Sequence, residues 1–190
     1  MATYYMLECF EPDDWEDSAA LKSAPRPAGV VSWRLGRRFL QPLPEPLEFE
    51  MLETHSDQLL EFYNEQALVM TKRLLATLQE AGVDNLDVYA ARIKHPVTGA
   101  IRTDYVAANL IGVVSAADLG KSRVIGGSAD GLVDVDFESV VVNERRAGDA
   151  LMFRLAENTS AILVHEKVRQ HLLEKGFAML SFLEPEEWMG

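Results

Sequence analysis

Ala67-Leu-Val-Met-Thr-Lys-Arg-Leu-Leu-Ala-Thr-Leu-Gln-Glu-Ala-Gly82 can be laid on Ala161-Ile-Leu-Val-His-Glu-Lys-Val-Arg-Gln-His-Leu-Leu-Glu-Lys-Gly176. Each stretch reads as a short apolar strand, a polar residue placed to cap a helix, an amphipathic helix, and a terminating glycine. Leu74 and Leu78 in the first match Val168 and Leu172 in the second, each an i,i+4 pair facing one core. Strand–helix–glycine is a common arrangement and identity between the two stretches is low. They are therefore read as a repeated local unit, each packing on a common sheet.

The segments around the repeat set the class. Ala2 to Phe10 is short, aromatic and apolar and reads as a strand. Val30 to Trp33 reads as another, and Pro42, Pro44 and Pro46 make an extended connector across the surface. A helix is expected from Thr54, where Thr54 with Asp57 approximates a capping box before Leu59, Leu60, Phe62 and Tyr63. Asp87 to Lys94 and Thr103 to Val114 are the clearest strands, joined through a turn at Pro96 to Gly99. Gly120 to Gly131 is a glycine-containing loop, Leu132 to Val142 alternates as a strand, and an apolar tail ends in Trp188. The expected fold is a single α+β domain over residues 1–190, with a mixed or antiparallel sheet carrying the two strand–helix units. Within it, residues 1–29 form an acidic N-terminal segment and 30–190 the core.

The formal net charge is -12. Free nucleic acid and anionic membrane surfaces repel such a chain, because affinity for them comes largely from Lys and Arg neutralising phosphates. A basic protein is attracted instead, its approach steered by the field. The acids are also segregated. Glu8, Glu11, Asp13, Asp14, Glu16 and Asp17 occur in the first 20 residues without a base, and no base interrupts Phe39 to Thr71. Acids around Trp15 resemble an interface mixture, an aromatic anchor with charged surroundings. The candidate partner-binding residues are Asp13, Asp14, Trp15, Glu16 and Asp17, with Asp134 and Asp136 as second choice. A solvated loop and a solvated strand face are the plainer alternatives for these two groups.

Catalytic and cofactor patterns are not found. His55, His95, His165 and His171 make no i,i+3 or i,i+4 pair, and one cysteine cannot complete a zinc set. Gly120-Lys121-Ser122 follows a strand, but the phosphate-loop pattern needs glycine where Ser115 stands, and Asp118 repels phosphate. Asp134 and Asp136 share one strand face and could carry a cation or acid–base chemistry, though Val133, Val135 and Phe137 alternating inward make them a solvated face. No Gly-x-Ser-x-Gly elbow occurs. The chain is expected to be no enzyme and to bind no metal or cofactor. Cys9, between Glu8 and Phe10, reads as a small buried apolar residue. No basic start followed by an apolar run marks a signal peptide, and no apolar stretch reaches the roughly 20 residues of a membrane span. A cytoplasmic location is expected.

Trp33-Arg-Leu-Gly36 and the proline-spaced Pro42 to Leu47 are followed by Tyr105-Val-Ala-Ala-Asn-Leu-Ile-Gly112 and Asp118-Leu-Gly-Lys-Ser122. Leu151-Met-Phe-Arg-Leu-Ala-Glu157, Ile162-Leu-Val-His-Glu-Lys-Val168 and Gly176 complete the series. In order and spacing this set resembles the immunity-protein family eleven of bacterial polymorphic toxin systems, from about Val30 onward. The chain departs from that pattern in placing His165 where Ser or Thr would cap the last helix, and in its acidic N-terminal segment. The resemblance implies an α+β fold and a neutralising protein encoded beside a toxin, with an HNH-type nuclease as the implied partner in interbacterial competition. Acidic charge fits such a partner, since carboxylates can occupy a basic DNA-holding surface as phosphate substitutes. A small-molecule enzyme with a dispersed carboxylate site, and an adaptor or chaperone for a secreted effector, are the competing expectations.

Overall fold

The structure, a computed structural model, describes residues 3–10, 18–22, 24–26, 32–53, 57–126 and 135–190. Among these the chain forms β1 (Tyr4–Cys9), β2 (Leu47–Glu50), β3 (Phe62–Asn64), β4 (Leu68–Thr71), α1 (Lys72–Glu80), β5 (Leu86–Lys94), β6 (Ile101–Arg102), β7 (Tyr105–Leu110) and β8 (Val113–Val114). There follow β9 (Arg123–Gly126), β10 (Asp136–Ser139), α2 (Glu144–Ala147), β11 (Met152–Leu155), β12 (Ile162–His165), α3 (Glu166–Glu174), β13 (Leu180–Leu183) and a 3-10 turn at Pro185–Glu187. The class is α+β. The strands divide between two large sheets, ordered β2-β5-β7-β4-β3 and β13-β1-β12-β11-β8, with β9 and β10 paired apart. The two helices therefore do not share one sheet. They share one core, walled by the inner face of each large sheet.

The repeated unit extends further than the two quoted stretches. In the first half the order β5-β7-β4-β3 surrounds β4 and α1, and in the second β13-β1-β12-β11 surrounds β12 and α3. Every pairing within each four-strand set is antiparallel. The register agrees as well. Thr71 ends β4 opposite Tyr105, and His165 ends β12 opposite Tyr4. Lys72 N–H then donates to Asp104 O at 2.8 Å, and Glu166 N–H donates to Thr3 O at 2.9 Å. The counterpart of β7 in the second half is β1, supplied from the other end of the sequence.

Both helices begin as their caps dictate. Thr71 Oγ1 accepts from Leu74 N at 3.1 Å, and His165 Nδ1 accepts from Lys167 N at 3.1 Å, so an imidazole nitrogen does the work of a hydroxyl. The Gly82 and Gly176 that follow have φ of 102° and 70°, a backbone region that disfavours side chains. Leu74, Leu78, Val168 and Leu172 are all fully buried in the central core with Leu68, Met70, Val106 and Val164. Each such side chain contributes about 1.5–3 kcal/mol by leaving water. Across β4 and β7 the alternate residues Val69, Ala107 and Tyr105 turn to a second core, with Trp33, Phe49 and Ile93. Across β1 and β12 the alternate Tyr4, Met6 and Leu163 turn to a third, with Phe137, Phe153 and Trp188. The central strands β4 and β7 of one sheet and β1 and β12 of the other are thus covered on both faces, which is why they read as continuous apolar runs, whereas β2 and the end of β5 alternate between buried and exposed residues.

Two of the expected elements are corrected and others are trimmed. Thr54, His55 and Ser56 lie outside the described residues, and the following residues are not helical: Leu59 makes a bridge to Ala19, and β3 follows. Phe62 enters the central core while its neighbour Tyr63 enters the second. A strand between two cores buries consecutive residues on opposite sides, whereas one helix face cannot. Val30 and Val31 also lie outside the described residues, and Trp33 sits in a turn, not a strand. The Thr103–Val114 strand breaks at Gly112, where φ is 113°, into β7 and β8. Of Leu132–Val142, the strand proper is β10, and Leu132, Val133 and Asp134 lie outside the described residues.

Candidate partner-binding surface

Where β1 of one large sheet faces β3 of the other, the sandwich opens into a cleft of about 370 Å³. Its apolar walls include Phe10, Leu60, Ile162, Trp188 and Met189. Phe10 and Met189, which line it, are 52% and 72% exposed, so the cleft's apolar wall continues onto the surface. Glu8 and Glu65 also line it, the latter exposed. Trp188 is buried, and its Nε1–H donates to Glu8 Oε1 at 2.8 Å, which fixes the indole edge and the carboxylate together. At the cleft wall, burial pushes the Cys9 thiol up to about 11, so it stays protonated at neutral pH. Burial likewise raises the Tyr63 phenol, whose O–H donates to Ala19 O at 2.7 Å while accepting from Leu60 N.

A hydrogen-bonded path joins this cleft to the outer two-stranded sheet. Phe137 N–H donates to Gly190 O at 2.5 Å and Gly190 N–H returns to Phe137 O at 3.0 Å, so β10 runs beside the residue that follows Met189. Val140 N–H donates to Pro185 O at 3.1 Å. These bonds bring β10, with its exposed Asp136, beside the 3-10 turn and its exposed Glu184, Glu186 and Glu187. On the paired strand β9, Val124 and Ile125 are exposed, and Arg123 pairs with Glu138 at 2.5 Å.

The sequence-selected residues fall unevenly on this surface. Asp13, Asp14, Trp15, Glu16, Asp17 and Asp134 lie outside the described residues. Asp136 is exposed, with Val135 and Phe137 buried on either side, as the alternation required. Sequence reading missed the cleft itself. Its walls come from β1, β3, the start of β12 with the residues before it, and the C-terminal turn, and nothing short of the sheet pairing brings these together. The nearest signals were the apolar tail ending in Trp188 and the aromatic Phe10 at the end of an apolar strand.

Chemistry elsewhere is accounted for locally. Gly120-Lys121-Ser122 forms a turn in which the N–H groups of Lys121 and Ser122 both donate to Asp118 O, and Lys121 Nζ meets Asp118 Oδ2 at 2.9 Å. The backbone donors a phosphate would need are thus consumed. The His95 ring bonds Asp57 at 2.8 Å and accepts from Val97 N and Thr98 N, and His171 lies 3.4 Å from Glu80. Among the described residues no three His, Cys, Asp or Glu side chains are grouped closely enough to hold a metal ion. None of their helices is long and apolar enough to cross a membrane. No protein-family model matches the chain, and no curated protein matches it either.

Proposed function

We propose that the chain is an immunity protein that binds and neutralises a cognate bacterial toxin, a basic nuclease of the HNH type, in interbacterial competition. The observation that carries this reading is the apolar cleft with Phe10 and Met189 at its mouth and carboxylates beside it. An interface needs an anchor pocket that excludes water and a charged rim that steers the partner. Methionine and aromatic side chains adapt to an inserted anchor. Glu8, Glu65, Asp136 and the glutamates of the 3-10 turn supply a negative rim, in keeping with the net charge of -12. The motif series from Trp33 to Gly176 supports the same role by resemblance.

The test is purification of the toxin encoded beside this gene and measurement of its nuclease activity with and without the protein. Stoichiometric inhibition supports the proposal. A toxin that neither binds nor is inhibited contradicts it.

A further inference from the structure

The two halves of the fold differ at one corresponding place. Cys9 of β1 lies opposite Leu180, and Leu110 of β7 lies opposite Leu86. The next residue repeats the match: Phe10 N–H donates to Met179 O at 2.9 Å and Ile111 N–H to Asn85 O at 2.8 Å. Cys9 and Leu110 are therefore counterparts. In an antiparallel ladder a residue next to such a bonded neighbour turns its own N–H and C=O to the opposite side of the strand. For Cys9 that is the side on which β12 pairs further along. The β12 ladder stops at Leu163 opposite Met6, so among the described residues no strand pairs with Cys9 there.

In the first half the chain covers the corresponding edge itself. The β4 ladder stops at Leu68 opposite Ala108. Beyond it, Gly112 N–H donates to Gly36 O at 2.8 Å and Asn109 Nδ2 donates to Arg37 O at 2.9 Å. The Gly36–Arg37 backbone thus lies beside β7, so close that a Cβ on Gly36 would stand 2.3 Å from Val113 Cγ2. The counterpart of Asn109 is Glu8, and beside Glu8 and Cys9 lies the cleft. Met6 through Phe10 line it without a gap. A strand shows alternate residues to a cavity over its face and consecutive ones along its edge. The cleft therefore runs along the edge of β1. Two carboxylates, Glu8 and Glu65, line it, and no Lys or Arg does among the described residues.

We propose that this cleft receives an extended, basic segment of the partner protein, which pairs through its main chain with the edge of β1 at Cys9. An apolar side chain of the segment packs against Phe10 and Met189, and its Lys or Arg side chains meet Glu8 and Glu65. The proposal rests on the toxin-binding reading for the partner's identity and adds how the partner is held. Its support is that a backbone segment fills the matching place in the first half. The experiment is residue-resolved amide exchange of the full chain alone, with the toxin encoded beside its gene, and with the blocked peptide Lys-Val-Phe-Val-Lys. The Cys9 amide should exchange at least ~10-fold more slowly with the toxin and with the peptide. Glu-Val-Phe-Val-Glu should leave it unchanged. Cys9→Pro deletes that donor where it serves no ladder bond, and should weaken toxin binding at least ~10-fold relative to Cys9→Ala. Should Cys9→Pro fail to fold, exchange in the unaltered chain decides. A toxin that binds without slowing the Cys9 amide overturns the strand pairing and leaves the toxin reading standing. If the toxin does not bind, that reading falls; protection by the basic peptide still upholds the slot, and no protection by either overturns it. Protection in the free chain that grows with its own concentration assigns the slot to a second copy and overturns the proposal as well.

Discussion

Arg154 Nη1 and Asn64 Oδ1 meet at 3.0 Å, and each residue is the third of its strand, β11 and β3, at corresponding places in the two halves of the fold. The halves touch through their own counterparts. Asn64 Nδ2 also donates to Ser160 O at 2.7 Å, across from the carbonyl of Thr159 that Arg154 engages. Exchanging these residues for apolar ones therefore acts on the seam between sheets. Asn64→Ala should leave the Arg154 guanidinium short of another acceptor and cost about 1–3 kcal/mol in urea denaturation, more than the same change at an exposed asparagine.

The shared central core makes a second expectation. Leu74→Ala and Leu172→Ala should each lose about 2–5 kcal/mol, since each removes a fully buried side chain and leaves a cavity. Because both line one core, the double variant should depart from additivity, as neighbouring sites do. Chemical denaturation of the two single variants and the double variant measures this directly.

The caps give a third. Thr71→Ala and His165→Ala each remove the acceptor for an unpaired helix N–H and should each cost about 0.5–2 kcal/mol. His165→Ser should recover most of the loss if capping is what the ring contributes at that position. Thermal melts of the three variants decide it.

The Cys9 thiol gives a fourth. Its folded pKa, raised from 9.0 to about 11 by burial, leaves ~100-fold less thiolate near pH 8 than in the unfolded chain. Labelling by a thiol-disulfide reagent should be slower in the native protein by about that factor, and fast in guanidinium. For the linkage, a raised folded pKa contributes stability that is fully present below pH 9. That contribution is lost as pH rises from 9 through about 11.

How much of this was legible in the sequence depended on range. The 67–82 and 161–176 units were readable because their periodicity, caps and glycines are local. The pairing of β1 into the second half was not, because a strand carries no mark of which distant partner it joins. Phe62 and Tyr63 misled for a related reason: adjacent apolar residues mimic a helix face unless both sides of the strand are known to be covered. Asp136 was readable from alternation alone. The cleft mouth at Phe10 and Met189, and the buried Arg154, follow only from tertiary contacts, and the Leu151–Glu157 stretch shows no sign that its arginine faces inward.

The acidic segment carries its own expectation. Asp13, Asp14 and Asp17 changed together to Asn should slow association with the toxin, and Trp15→Ala should speed dissociation, because rim charges set the on-rate and anchors the off-rate. Unchanged kinetics in both would remove that segment from the interface. The Debye length falls from roughly 14 to 4 Å between about 0.05 and 0.5 M salt, so association of the unaltered protein should slow across that range while dissociation changes less.

The most direct measurement is surface-plasmon kinetics of the neighbouring toxin with the Phe10→Ala, Met189→Ala double variant and with Asp136→Asn. The double variant, still folded, should dissociate at least ~10-fold faster, as loss of about 1.4 kcal/mol of anchoring requires. Asp136→Asn should chiefly slow association, and less so at high salt. Dissociation of the double variant at the unaltered rate would contradict the assignment of the cleft between β1 and β3 as the partner-binding surface.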